Sequence, residues 1–268
     1  MNSASKLAQL KHLLACYDKV AVAFSGGVDS AFLLAIAADV LGTDRLLALT
    51  AVAPLFPTQE TDDSAALAKS LGVRQVLVNC NPLELEEVAD NPPLRCYHCK
   101  RHLFAKLREQ ALTLGFVELL DGSNLDDLED YRPGRKALEE LGIASPLLDA
   151  QLTKADIRML SRQAGLATAD KPSLACLASR FPYGTRITLE QLQQVERCEE
   201  FLRQRGFRTF RVRHHGDTAR IEVHLDEMPG IMKDGLRADL IAEFKAAGFT
   251  YVALDLQGYR TGSLNENL

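Results

Sequence analysis

Residues 20–40 constrain this chain more than any other stretch. Residues 20–24 form a short apolar run rich in β-branched side chains, the pattern of a strand buried on both faces. Ser25-Gly26-Gly27 then gives a turn with two positions that lack Cβ atoms, where backbone must approach something closely. Residues 31–40 read as a nearly all-apolar helix. A buried strand, a glycine turn and a helix start together present unpaired N–H groups and a positive dipole end to an anion. The hydroxyls of Ser25 and Ser30 add donors, and Asp29 is placed to hold a divalent cation against phosphates.

No Gly-Lys-Ser/Thr follows, so this is not the Walker loop, and without a third glycine it is not the dinucleotide fingerprint. Ser25-Gly26-Gly27-Val28-Asp29-Ser30 after such a strand resembles the PP-loop of the ATP pyrophosphatase superfamily. That resemblance implies an enzyme that uses ATP and Mg²⁺, cleaves between the α- and β-phosphates and adenylates a substrate.

Strand and helix patterns continue to alternate downstream. Strands are expected at 45–52, 73–78 and 116–120, with a short fifth at 144–148. Helices are expected at 6–16, 57–71, 100–114 and from Thr153 to Gly165. This is the signature of an α/β fold with a doubly wound parallel sheet, whose phosphate turn lies at the carboxyl edge. Pro172, Pro182 and Gly184 break all periodicity over 169–186. A different, smaller α+β module follows: helices at 189–205 and 234–247, a hairpin of 209–213 with 219–225, and a last strand at 251–256. The expected domains are 1–170, for ATP, and 171–268, for substrate binding and oligomerisation. The net charge of −5 argues against a nucleic-acid-coating protein, and no apolar run reaches the ~18 residues of a membrane span. With no signal-peptide core at the start, a cytoplasmic location is expected.

Ser123 and Asn124 follow the fourth strand and can donate to phosphate or ribose, while Asp126 and Asp127 can hold Mg²⁺ or place a basic group. Arg132 and Arg135 are candidates for polyphosphate or ordinary solvated arginines. Cys96 and Cys99 form a C-x-x-C just before a helix, beside Lys100 and Arg101. With no second pair, a four-thiolate zinc site is not available. Adding Cys176, in the aperiodic stretch, gives three thiolates that can hold a [4Fe–4S] cluster with one iron open; a redox pair or buried thiols is the alternative. Cys16, Cys80 and Cys198 sit in regular patterns and read as packing residues. In the second module Ser179 and Arg180 accompany Arg211 and Arg213, which alternate on one strand face and suit a phosphate monoester. Glu199 and Glu222 can bind a cation or orient those arginines.

These features together resemble the LarE family of ATP-dependent sulfur transferases. The likeness covers the PP-loop, Asp121-Gly122-Ser123-Asn124, Cys176-Leu177-Ala178-Ser179-Arg180 and Leu256-Gln257-Gly258-Tyr259-Arg260-Thr261-Gly262. It implies adenylation of a carboxylate of a pyridinium dicarboxylate mononucleotide and replacement of oxygen by sulfur, for nickel-pincer nucleotide cofactor synthesis. It further implies a substrate-phosphate site at Ser179, Arg180, Arg211 and Arg213, and homo-oligomers, hexamers in the family. In one branch a cysteine matched by Cys176 gives up its own sulfur. In the other, two further cysteines, matched by Cys96 and Cys99, complete a cluster that carries sulfide from a donor such as a partner protein. A PP-loop tRNA thiolase is the alternative, disfavoured by the acidic balance; an NAD or GMP synthetase would leave the cysteines unexplained.

Overall fold

The computed structural model describes residues 2–128, 133–172 and 175–260. The chain divides into two compact units, residues 1–82 with 94–174, and 83–93 with 175–268.

In the first unit, β1 (Val20–Ala23) lies between β2 (Leu46–Val52) and β4 (Glu118–Leu120), and β3 (Arg74–Asn79) extends the sheet beyond β2. All pairings are parallel, giving the order β3-β2-β1-β4. Alternate strand residues feed two cores. Val20, Val22, Leu46 and Ala48 pack with α1 (Ser3–Ala15) and α2 (Val28–Leu41), and with Ala68 of α3 (Thr58–Ser70). Ala21, Leu47 and Leu49 pack on the other face. Both faces are therefore apolar, the physical origin of the apolar runs in β1 and β2, broken only by the buried Thr50, whose hydroxyl donates to the Phe24 carbonyl.

After the short helix α4 (Glu86–Ala89), which belongs to the second unit, α5 (Arg95–Thr113) covers the second face with Leu103, Leu107 and Ala111. Helix α5 begins five residues earlier than the sequence pattern predicts, directly after Pro92-Pro93, so Cys96 and Cys99 lie inside its first turns rather than before it. Helix α6 (Pro133–Glu140) follows. The expected fifth strand is not formed. Only a single parallel bridge joins Leu120 and Ala144, and Pro146 then opens the short helix α7 (Pro146–Asp149). Proline has no N–H for a ladder and its fixed φ suits a first helical turn. Helix α8 (Lys154–Gln163) starts at Thr153 with a reciprocal capping box to Asp156 and packs Ile157 and Leu160 beneath α2.

In the second unit, α9 (Leu189–Gln204) lies against the hairpin β5 (Phe210–His215) and β6 (Thr218–Val223). Its two-residue turn opens on Gly216 at φ +63°, the position where this hairpin geometry requires glycine. After α10 (Met228–Ile231) and α11 (Asp234–Ala246), β7 (Tyr251–Leu254) adds parallel to β6. Residues 83–93 join this unit through Asn91. Its buried amide donates to the Pro182 carbonyl at 2.8 Å, and its own carbonyl accepts from Gly184 at 2.9 Å.

Candidate active site

The turn after β1 is tied together by its own hydroxyls. Ser25 and Ser30 share a hydrogen bond at 3.1 Å, the Gly27 N–H donates to Ser25 Oγ at 3.3 Å, and Ser30 Oγ donates to the Gly27 carbonyl at 3.2 Å. Gly26 sits at φ +73°, and a Cβ there would lie 3.0 Å from Ser64 Cβ, so α3 closes on the turn where only glycine fits. The loop after β4 docks the same way. A Cβ on Gly122 would lie 3.0 Å from the Ser30 nitrogen, which brings Asp121-Gly122-Ser123 against the first turn of α2. Since β1 and β4 are parallel neighbours, both loops share the carboxyl edge of the sheet.

Asp29 stands in that first turn. One carboxylate oxygen pairs with Lys154 at the start of α8; the other, Oδ1, is buried without a hydrogen-bond partner among the described residues. Burial pushes the Asp29 carboxyl above its ordinary range, with Lys154 pulling it part of the way back. Nearby, Ser123 donates to Asp121 at 2.5 Å, Asn124 Oδ1 accepts the Asp126 N–H at 3.0 Å, and Asp126 caps α8 by accepting the Lys154 N–H at 2.9 Å. Asp126 thus positions a lysine, one of the two roles its sequence allowed. Arg135 pairs with Glu139 one turn along α6 on the surface, and Arg132 lies outside the described residues.

In the second unit, Cys176 is half-buried and precedes a 3-10 turn, Leu177–Arg180. Arg180, 2% exposed, forks onto Glu199 at 2.9 and 2.7 Å and also donates to the carbonyls of Ala175 and Cys176 at 2.6 and 3.0 Å. Its burial works against its charge, and Glu199 more than offsets that. Arg213 forks onto Glu222 at 3.0 and 2.8 Å and donates to the Ser179 carbonyl at 2.6 Å. Both glutamates are therefore taken up orienting arginines. Arg211 differs: among the described residues it forms no ion pair; it donates to the Phe210 carbonyl at 2.7 Å, lies 5.2 Å from the Tyr259 ring, and feels the Glu199 carboxylate without pairing with it. Burial, then repulsion from Arg180, draws its pKa below the ordinary value. Among the described residues, Arg180 pairs with Glu199, Arg213 and Arg220 share Glu222, and Arg220 also reaches Asp255.

A model of the NAD synthase family matches residues 8–92, the stretch that carries the phosphate turn. An uncharacterized protein of Synechocystis is 42% identical over 98% of both chains, and one of Methanocaldococcus jannaschii is 30% identical over 91% of both. A pyridinium-3,5-bisthiocarboxylic acid mononucleotide synthase of Lactiplantibacillus plantarum is 38% identical over 99% of this chain and 95% of its own. The chain belongs to the LarE family. It is therefore an ATP-dependent sulfur transferase of the PP-loop class.

Two cofactors that LarE membership implies can be tested against the residues. Mg²⁺ fits: Asp29 offers a hard oxygen donor with an unpartnered buried atom at the end of a phosphate-binding turn. For a cluster, Cys96 and Cys99 supply two thiols one helical turn apart, Cys96 half-buried and accepting a 3.6 Å contact from Arg95. Cys176 belongs to the other unit, and among the described residues no group of three metal-ligating side chains is assembled. Cys80 and Cys198 are buried, and burial pushes the Cys198 thiol up to about 12; Cys16 is exposed at the end of α1, not the packing residue its pattern predicts. No helix is long and apolar enough to cross a membrane among the described residues. Lys154 was not foreseen, although it follows the capping Thr153; its only signal was its place at the start of a helix near the phosphate edge.

Proposed function

We propose that this protein adenylates a carboxylate of pyridinium-3,5-biscarboxylic acid mononucleotide and converts it to a thiocarboxylate, in line with the name of its Lactiplantibacillus relative. The observation that carries the substrate reading is Arg211, a buried guanidinium that forms no ion pair among the described residues and lies beside the paired Arg180 and Arg213. A phosphate monoester supplies an anion with bidentate geometry. Ser179 and Arg180 line the same turn, and Arg213 holds the Ser179 carbonyl in place.

In the adenylation step a carboxylate oxygen of the substrate attacks the α-phosphorus of ATP. The bond to the β-phosphate breaks and its electron pair leaves on pyrophosphate, so no proton is moved. The first-turn N–H groups of α2, with Ser25 and Ser30, hold the phosphates where negative charge develops. Asp29 would hold Mg²⁺, which neutralises that charge. A sulfur nucleophile then attacks the acyl carbon and AMP departs. Cys96, Cys99 and Cys176 would hold a [4Fe–4S] cluster, which when bound supplies an open iron for exchangeable sulfide. Arg180, through the Ala175 and Cys176 carbonyls, fixes the backbone of the third ligand. A homo-oligomer and a sulfide-donor protein complete the reading.

The test is an anaerobic incubation with ATP, Mg²⁺, sulfide and the biscarboxylate mononucleotide, following AMP, pyrophosphate and thiocarboxylate product. Several products per chain are expected. Absence of AMP with the mononucleotide, together with thiolation of added tRNA, overturns the substrate. One product per chain, with Cys176 converted to dehydroalanine, overturns the cluster route.

A further inference from the structure

Lys171 lies well outside the Ser-Gly-Gly-Val-Asp-Ser motif in sequence, yet its ammonium reaches that turn. Nζ lies 3.4 Å from the Gly26 carbonyl and 2.8 Å from Asp63 Oδ2 of α3. The backbone that delivers it is fixed. Arg158 of α8 donates to the Ala169 carbonyl at 2.7 Å and to the Lys171 carbonyl at 2.8 Å, and the Lys171 N–H donates to Thr168 at 3.0 Å. Asp63 adjoins Ser64, the residue that packs on Gly26, so α3 presents the counter-charge at the edge of the phosphate turn.

We propose that Lys171 is a phosphate-contacting cation of the adenylation step, resting on Asp63 and Gly26 until ATP occupies the turn. This rests on the adenylation reading above. A lysine on a flexible stem suits the role: its charge transfers from one carboxylate to a triphosphate without rearranging backbone. As the α–β bridging bond breaks, charge grows on the departing pyrophosphate, so a cation there acts more on the transition state than on ground-state ATP. Asp63 competes for the same ammonium, so the two residues have opposite effects on nucleotide affinity.

The experiment compares Lys171→Gln, Lys171→Arg and Asp63→Asn with the wild type. It measures pyrophosphate release with the mononucleotide, and calorimetric affinity for α,β-methylene ATP, which cannot be cleaved. Lys171→Gln is expected to lower kcat about 10- to 100-fold, with a smaller loss of analogue affinity and an unchanged melting temperature. Lys171→Arg restores most of the rate. Asp63→Asn tightens analogue binding about three- to fivefold. Wild-type kcat in Lys171→Gln, or analogue binding weakened alike by Lys171→Gln and Asp63→Asn, overturns the proposal. A wild type that releases no pyrophosphate with the mononucleotide overturns the adenylation reading instead.

Discussion

Arg211 and Arg213 lie two residues apart on one strand, yet replacing each by alanine has distinct consequences. Arg213 shares two hydrogen bonds with Glu222, which is 0% exposed, and Arg213→Ala leaves that carboxylate with only Arg220 among the described residues. Breaking one side of a buried pair costs about 3–5 kcal/mol. Arg211→Ala removes a hydrogen bond to Phe210 and a ring contact with Tyr259, together about 2–4 kcal/mol. It also removes a buried charge that has no ion pair among the described residues, and relief of its desolvation offsets that loss. The net change in stability is therefore within about 1 kcal/mol of zero. Binding reverses the order of interest: if Arg211 holds the substrate phosphate as proposed, Arg211→Ala should remove a charge-assisted hydrogen bond of about 1.5–3 kcal/mol, roughly 10- to 150-fold in affinity. Because the chain has two units, stability is best read from urea-dependent hydrogen exchange of peptides from α9, β5 and β6, and affinity from calorimetry with the mononucleotide. Equal destabilisation by the two variants, or unaltered mononucleotide affinity in Arg211→Ala, would refute the assignment of Arg211 to the substrate phosphate.

Asp29→Asn should abolish Mg²⁺-dependent AMP formation while leaving thermal unfolding near that of the wild type. Since burial raises the Asp29 pKa, Mg²⁺–ATP affinity should weaken as pH falls, at a higher pH than for an ordinary exposed aspartate; a flat affinity profile in calorimetry argues against that role. Cys96→Ser, Cys99→Ser and Cys176→Ser should each lose iron and labile sulfide after anaerobic reconstitution. In the native protein at neutral pH Cys198 should resist iodoacetamide, its thiol being pushed up to about 12 by burial; intact iron content in any of the three serine variants counts against the cluster. Burial alone would raise the Asp156 carboxyl, but Lys6, Ser3 and Thr153 together hold it far below the usual range. Its stabilisation is then complete above the unfolded pKa near ~4 and fades as pH falls below it. The stability gap between wild type and Asp156→Asn should therefore shrink below that pH in urea titrations, and a constant gap would exclude the linkage.

Local chemistry was readable directly from the chain. The phosphate turn, its flanking strand and helix, the Thr153 cap and the Gly216 hairpin each follow from residues within a few positions of one another, where sterics and hydrogen bonding act through short stretches of backbone. Alternation of strands and helices was enough to give the parallel sheet. What packing decided is of another kind. The Asp29–Lys154 and Gly26–Lys171 contacts join residues 125 and 145 positions apart, and no periodicity records such a distance. Bridge formation at Ala144 stopped at Pro146, because a proline ring outweighs a short apolar run. Sequence alternation placed Arg211 and Arg213 on one face as equals. Only the register of β5 on β6 and the docking of α9 gave Arg213 its carboxylate, gave Glu199 to Arg180, and left Arg211 without an ion pair among the described residues. Pairing of buried charges depends on which elements meet in three dimensions, and that is settled by the packing of the whole unit.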